Sequence, residues 1–541
     1  MQNINQNIQI EVIEHLGIIS SICQNLKLTE RVDARLNQNH PSQIVTPGQI
    51  VSALILNGLG FSNHRVYLVS EFFRNKPVEK LIGSGIKAEH LNDDAIGDCL
   101  DDIYEYGATK LFSEIALEIV MEKQLLGKVS HGDGTSFKVE GEYNGSGEGV
   151  KITYGYSKDH RPDLKQIMLS LVMTSRGNIP YWVEAHDGNS SEKKTFTEMI
   201  KEIEQYKNQF KSVDEMTYVF DSALYSASNL LSIKNVNWIS RVPETINSAR
   251  ELLELSDNLI SWSKEQEGYK ICEYGSKYAG INQRWVLVYS QEAYEKEEAT
   301  LFKKVQKDLE VAEKCVSKLE KRNYESVSEV ENILKDKNQV LKYHNIKIGS
   351  SELKGKNKYN VCLKIEENNL SIQRELNKKG RFIVASNVLN DFSDWDLLYE
   401  YKEQQKPEMG FRFLKDPWYL NKRIFLKKDT RIVALSMIMA TLLLVYNYGQ
   451  HFMRERLKQN NETLPNQVKK EIKNPTLRWI CQAMSDTILV KQDLGNGNVA
   501  FSNTLNPFKI RIIKIFGEFA LKIYGISEII DTDFDLHTSG T

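Results

Sequence analysis

Three acids stand where carboxylates could share a cation. Asp133 lies in KVSHGDGTSFKVEGEY, Asp221 closes TYVFDSAL, and Glu408 lies in LYEYKEQQKPEMGFRFLK. Clustered carboxylates repel one another unless a cation neutralises them, and hard oxygen ligands suit Mg²⁺ or Mn²⁺. Two such ions can activate a water or a 3′-hydroxyl and stabilise the leaving oxygen in an in-line phosphoryl transfer. Around the glutamate, Tyr401, Gln404, Glu408 and Lys415 fall at i, i+3, i+7 and i+14, with Arg412 between the last two. At 3.6 residues per turn that spacing predicts one stripe along a helix. A solvated helix face carries the same mixture, and an aspartate near a strand end is commonly a turn residue. The meaning of these groups therefore depends on the elements that hold them.

Residues 1–125 alternate apolar residues at three- and four-residue steps, as in IVSALILNGLGF and DDAIGDCLDDIYEYGATKLFSEIALEIV, and predict an all-helical unit. After Gly127 the pattern changes to strands: the Asp133 stretch, KQIMLSLVMT and IPYWVEAHDGN, then a helix and the strands TYVFDSAL and NWISRV. This opens an α/β sheet over 126–243, with Asp133 in the first strand and Asp221 at the end of the fourth. Residues 244–379 read as an insertion of short strands (GYKICEYG, QRWVLVYS, YNVCLKI) and a long charged helical run from Glu292 to about Asp336. That run predicts a solvated antiparallel helical hairpin, with a coiled-coil arm as the alternative. The α/β texture resumes over 380–457 with GRFIVASNV. Ser393 and Asp396 then form a capping box for the helix that carries Tyr401. Pro407 should kink that helix before Glu408. Residues 458–541 read as a helical C-terminal region.

The bulk numbers narrow the partners. Seventy Lys/Arg against seventy-two Asp/Glu leave a net charge of −2, so no global basic field points to nucleic acid and any such surface must be local. Between Lys402 and Arg431 there are nine Lys/Arg and four Asp/Glu. The six cysteines are scattered without C-x-x-C pairs, which predicts a reducing, intracellular setting. The N-terminal MQNINQNIQIEVIEHLG lacks the features of a signal peptide. The apolar run Ile432 to Tyr446 is shorter than the roughly 20 residues of a bilayer span and predicts a buried core helix.

With these stretches in hand, the sequence resembles the DDE transposases of bacterial insertion sequences, in the group whose signature is Tyr, two residues, Arg, three residues, Glu, six residues, Lys. Tyr401, Gln404, Glu408 and Lys415 fit that spacing, with Gln404 in place of the arginine. HLNDDAIGDCLDDIYEYG, YGYSKDHRPDLKQ, EQQKPEMGFRFLKDP, IFLKKDTRIVALSMIMATLLLVY and NPTLRWI resemble one subfamily of it. The resemblance implies an RNase H-like mixed-sheet core interrupted by the insertion and flanked by helical regions, the first of them DNA-binding. It implies Asp133, Asp221 and Glu408 as catalytic acids holding two Mg²⁺ or Mn²⁺ ions. Tyr401 and Lys415 match positions that contact transposon-end phosphates, and Arg412 could supply the charge that Gln404 lacks. Lys158, His160, Arg161 and Lys165 form a candidate DNA-facing loop, with a polar hairpin as the alternative. His131, two residues before Asp133, reads as hydrogen-bonded rather than as a ligand. Trp262 and Trp285 are candidates to stack on a flipped base, although core packing suits Trp285 better. The implied partners are double-stranded DNA, both terminal inverted repeats and target, and further copies in a homodimer or larger synaptic assembly, without a membrane. The implied setting is the bacterial cytoplasm. Two other functions stay open: a transposase-derived DNA-binding protein that no longer cuts, and a coiled-coil scaffold built on the charged run.

Overall fold

The computed structural model describes the chain apart from residues 1–7, 37–42, 62–67, 140, 142, 144–148, 157–160, 208–214, 354–357, 417–427, 496–497 and 527–541. It is a mixed α/β protein that divides into two compact units, Met1–Val219 with Glu403–Thr541, and Phe220–Lys402.

In the first unit the N-terminal helices form as their periodicity predicts. Helix Pro47–Gly58 starts at a capping box in which Thr46 Oγ1 accepts from Gln49 N and Gln49 answers on Thr46 N, with proline at the first turn. Asn92 caps Asp93–Tyr106, and Gly107, at φ 98°, lets the chain turn directly into Ala108–Glu122. The apolar faces of these helices pack on Asp429–Gln459, a 31-residue helix whose residues from Ala434 to Val445 are all buried. That helix is long and apolar enough to cross a membrane by length and composition, yet most of its apolar stretch is buried inside the protein, as a core helix requires. Arg431 on it makes a paired bond to Asp101, 2.7 Å from each carboxylate oxygen.

The sheet of this unit has strand order Pro180–His186, Gln166–Thr174, Val129–Lys138, Thr217–Phe220. The first three are antiparallel neighbours and the last runs parallel to Val129–Lys138. This is the mixed-sheet opening expected of the core. Gln166–Thr174 is buried at every residue, which explains why its run QIMLSLVM is mostly apolar.

Two expectations fail at the chain ends. Ile8–Val12 is a strand, not part of an all-helical region, and it pairs antiparallel with Ile488–Gly495, which in turn pairs with Asn498–Asn503. Residues 458–526 therefore carry strands as well as helices, because pairing partners some 480 residues apart leave no local signal.

In the second unit the order is Asn237–Arg241, Arg381–Ser386, Ile281–Ser290, Tyr269–Tyr278. GYKICEYG and QRWVLVYS were expected within the insertion. Instead Ile281–Ser290 pairs directly with Arg381–Ser386, and Tyr269–Tyr278 pairs with Ile281–Ser290. What remains of the insertion includes a pair of helices, Gln291–Leu319 and Val327–Val340, and the hairpin His344–Leu353 with Tyr359–Glu367. These share a small core of their own that includes Ala312, Val330, Leu334, Ile346 and Val361. The charged run is thus a helical pair closed by a sheet rather than a free arm.

Candidate catalytic site and the signature helix

Asp133 sits midway along Val129–Lys138 in the run His131-Gly132-Asp133-Gly134-Thr135, and its Oδ1 accepts from Gly134 N at 2.7 Å. The strand is in register with its parallel neighbour through Ser130 and Tyr218, then His131 and Val219. Asp133 lies two residues beyond His131, and Asp221 lies two residues beyond Val219. His131 is fully buried.

Within the second unit, Asp221 follows the strand Thr217–Phe220 and turns the chain: its Oδ1 accepts from Ala223 N at 2.8 Å, and Ser240 Oγ donates to its carbonyl at 2.8 Å. Tyr401 stands beside it. Burial pushes the Tyr401 phenol above its ordinary range, the Arg241 guanidinium opposes that, and the Asp221 charge adds to it. The Arg241 guanidinium lies 5.3 Å from the Phe382 ring centre, and the Phe382 and Tyr401 rings are 6.1 Å apart. Arg241 was not foreseen, because a lone arginine at a strand end carries no spacing signal.

The expected single helix is two. Ser393 and Asp396 form the predicted reciprocal cap, with Ser393 N donating to Asp396 Oδ2 at 2.9 Å and Asp396 N to Ser393 Oγ at 3.1 Å. That helix, Asp394–Lys402, ends one residue after Tyr401. A new one, Gln405–Lys415, begins with Gln404 at its N-cap. Pro407 is the third residue of the new helix, where a backbone N–H has no intrahelical acceptor to lose. The proline therefore fits without the expected kink, and Tyr401 does not share a helix face with Glu408.

Helix Gln405–Lys415 has two unlike faces. Pro407, Gly410, Phe411 and Leu414 are buried. A Cβ on Gly410 would lie 3.0 Å from Leu443 Cδ2 and 3.4 Å from Met173, so the glycine permits the close seat. Both ends of this inner face are bonded to the Asp133 strand: Gln404 Nε2 donates to the Gly132 carbonyl at 2.6 Å, and Lys415 Nζ donates to Thr135 Oγ1 at 2.8 Å while lying 5.4 Å from the Phe137 ring centre. Lys406 Nζ reaches the Ser175 carbonyl at 2.8 Å. On the outer face Glu408 and Arg412 form an ion pair at 2.9 Å, their side chains 62% and 75% exposed. Gln404 and Lys415, expected to face DNA, thus grip the residues on either side of Asp133. The signal for those acceptors was the small-residue run Gly132 to Thr135, which leaves backbone and hydroxyl open to an approaching helix.

The other candidates separate. Arg161 binds Asp163 through two bonds at 2.8 and 2.7 Å, and Lys165 Nζ reaches the Tyr143 carbonyl at 3.1 Å. Lys158 and His160 lie outside the described residues, as do Lys422, Arg423 and Lys427 of the local basic excess. Lys428 and Arg431 are both paired with Asp101. Trp285 is buried, its Nε1 3.1 Å from both Tyr225 Oη and Gln283 Oε1, which is core packing. Trp262 is half-buried, donates to Asp257 Oδ1 at 3.0 Å and lies 5.6 Å from the Arg381 guanidinium. Among the described residues no group of three or more His, Cys, Asp or Glu stands as a metal cage.

Compared with known proteins, residues 132–444 match a family model described as Transposase DDE domain, and residues 8–117 match one described as Domain of unknown function (DUF4277). No curated protein matches. Among solved structures, the chain is similar to a piggyBac transposase in a synaptic complex with hairpin DNA, seen by cryo-electron microscopy. The identity is 9% and the TM-score 0.36 over 88% of this chain and 80% of that one, a likeness too slight to bear on fold or partner.

Proposed function

We propose, for a chain that belongs to the transposase DDE domain family, that it cleaves and rejoins DNA to move its own insertion sequence by a cut-and-paste route. Asp133, Asp221 and Glu408 are the acids we assign to metal binding, and double-stranded DNA, at the element's ends and at the target, is the substrate. The observation that carries this reading is the family match over residues 132–444, which spans all three acids.

The donor set fits Mg²⁺ or Mn²⁺ in character: carboxylate oxygens, with Asp133 and Asp221 each oriented by a backbone N–H from Gly134 and Ala223. A pair of such ions, when bound, supplies an activated nucleophile and a stabilised leaving oxygen. The protein's own part is to hold the groups. Gln404 and Lys415 fix the strand around Asp133, and the seat of Pro407, Gly410 and Phe411 fixes the helix from which Glu408 projects. Glu408 lies in the first turn, where the helix N-terminus favours a negative charge. Its Arg412 partner must yield when Glu408 takes a cation, and Arg412 is then placed to meet a DNA phosphate. Arg161 is assigned the same role, in exchange for Asp163. The working form is a homodimer or larger synaptic assembly in the bacterial cytoplasm.

A second reading, a DNA-binding protein of transposase descent that no longer cuts, draws on the Glu408 to Arg412 ion pair. Nicking of DNA bearing the element's ends, with and without Mg²⁺, tests both. The catalytic reading expects Mg²⁺-dependent nicks that Asp221→Asn abolishes while end binding persists. Binding without nicks in the unaltered chain would establish the second reading in its place.

A further inference from the structure

Residues 1–125, where DNA binding was expected, hold ten Lys/Arg and sixteen Asp/Glu. Two of those cations are already neutralised: Arg31 pairs with Glu118 and Glu122, and Arg35 with Glu114 and Glu118. A polyanion meets repulsion there. The stretch from Arg454 to Lys514 has the opposite balance, eleven Lys/Arg against five Asp/Glu.

We infer that the hairpin Leu464–Pro465/Glu471–Ile472, with the end of the core helix and the helix Pro507–Phe516, forms a second surface for the phosphate backbone of duplex DNA. This rests on the transposase reading for the identity of the polyanion. The elements are fastened to one another. Arg511 donates to the Thr463 carbonyl at 2.8 Å, Trp479 Nε1 to the Pro465 carbonyl at 2.9 Å, and Arg454 Nε to the Pro475 carbonyl at 2.9 Å. The hairpin turn is closed by Asn466, whose Oδ1 accepts from Val468 N and Lys470 N at 3.1 and 2.9 Å. On this braced frame Arg456, Lys458, Lys469, Lys470, Lys473 and Arg511 are exposed. Several exposed cations elsewhere are matched, as Lys296 is by Glu292, Lys347 by Glu366 and Arg161 by Asp163. None of these six pairs with a carboxylate among the described residues. Glu462 and Glu471 are exposed in the same stretch, so the surface carries an excess of cations over acids. A rigid rim of unmatched cations suits a regular array of phosphates, which it binds by displacing counterions.

The test is the full chain with Lys469→Ala, Lys470→Ala and Lys473→Ala together, titrated with an end-bearing duplex at several salt concentrations. All three side chains are exposed, so the thermal melt should match the unaltered protein and certify the fold. If each lysine meets a phosphate, the slope of log K against log salt falls by about 2.7, and affinity near 100 mM salt drops roughly tenfold or more. The same affinity and slope in the variant would overturn the inference while leaving DNA binding itself intact. No duplex binding by the unaltered chain would overturn the transposase reading and this surface with it. Unchanged DNA binding with a loss of self-association would assign the rim to the acidic N-terminal face of a second copy, and so against DNA.

Discussion

Lys415 and Arg412 are cations one turn apart on the same short helix, and they are used differently. Lys415 points inward, bonded to Thr135 and lying against Phe137, whereas Arg412 is 75% exposed and held by Glu408. On the inner face, Gln404 and Lys415 hold the helix against the strand that carries Asp133. On the outer face, Glu408 and Arg412 can exchange their mutual contact for other partners at little loss, since an exposed i, i+4 pair contributes only about 0.3–0.5 kcal/mol. Residues that match the spacing of a signature do not thereby share one job. Some brace the helix against the Asp133 strand and others stand exposed on it.

The largest expected effect is on the outer face. Glu408→Gln should reduce Mg²⁺-dependent nicking by on the order of a thousandfold, the consequence of losing several kcal/mol of transition-state stabilisation. Its melting temperature should stay within a degree or two, because the side chain is solvated. A large fall in stability would erase the distinction between the faces. Lys415→Ala should do the reverse in kind: a loss of about 1–3 kcal/mol in a denaturant titration, from a broken charged hydrogen bond and lost packing, with weakened nicking as a by-product of a loosened Asp133 strand. Stability unchanged from wild type, with end binding weakened instead, would move Lys415 to the outer group.

Gln404→Arg probes the inner face. Among the described residues the Gln404 Oε1 is buried with no hydrogen-bond partner, and Nε2 already serves the Gly132 carbonyl. An arginine can keep that donation, so stability should move by no more than about 1 kcal/mol and end affinity by less than about twofold, equivalent to roughly 0.4 kcal/mol. Tighter end binding at low salt would show that the position opens to DNA. The smallest effect should come from Arg412→Ala, which ought to leave the fold untouched and lower the salt slope of end binding by about 0.9, one phosphate contact. An unaltered slope would leave Arg412 as a partner of Glu408 and no more.

What could be read ahead of the structure was whatever has a short period. The helices around Ile50 and Ile96, the strands carrying Asp133 and Leu169, and the cap at Ser393 all follow from residues within a few positions of one another. The break between Lys402 and Gln405 was not legible, because a 3.6-residue stripe continues on paper through a turn set by tertiary contacts such as Gln404 on Gly132. The placement of Ile281–Ser290 beside Arg381–Ser386 was equally hidden, since its partner lies about a hundred residues downstream and alternation alone does not name a neighbour. At the proposed site, the three acids were singled out by type and by their place in the predicted elements. Their supports were not: Thr135, Arg241 and the carbonyl of Ser175 have no distinguishing pattern.

The pairing of Ile8–Val12 with Ile488–Gly495, together with the bond from the Tyr524 hydroxyl to the Glu14 carbonyl, sets an order of events on the ribosome. The first unit's N-terminal strand lacks its partner until nearly five hundred residues have been made, a wait of about 25–100 s at 5–20 residues per second. The second unit, contiguous from Phe220 to Lys402, has all its own strands well before then. Synthesis therefore completes the inserted part first, and the early helices, their apolar faces still missing the helix Asp429–Gln459, are the segment that nascent-chain chaperones meet uncovered.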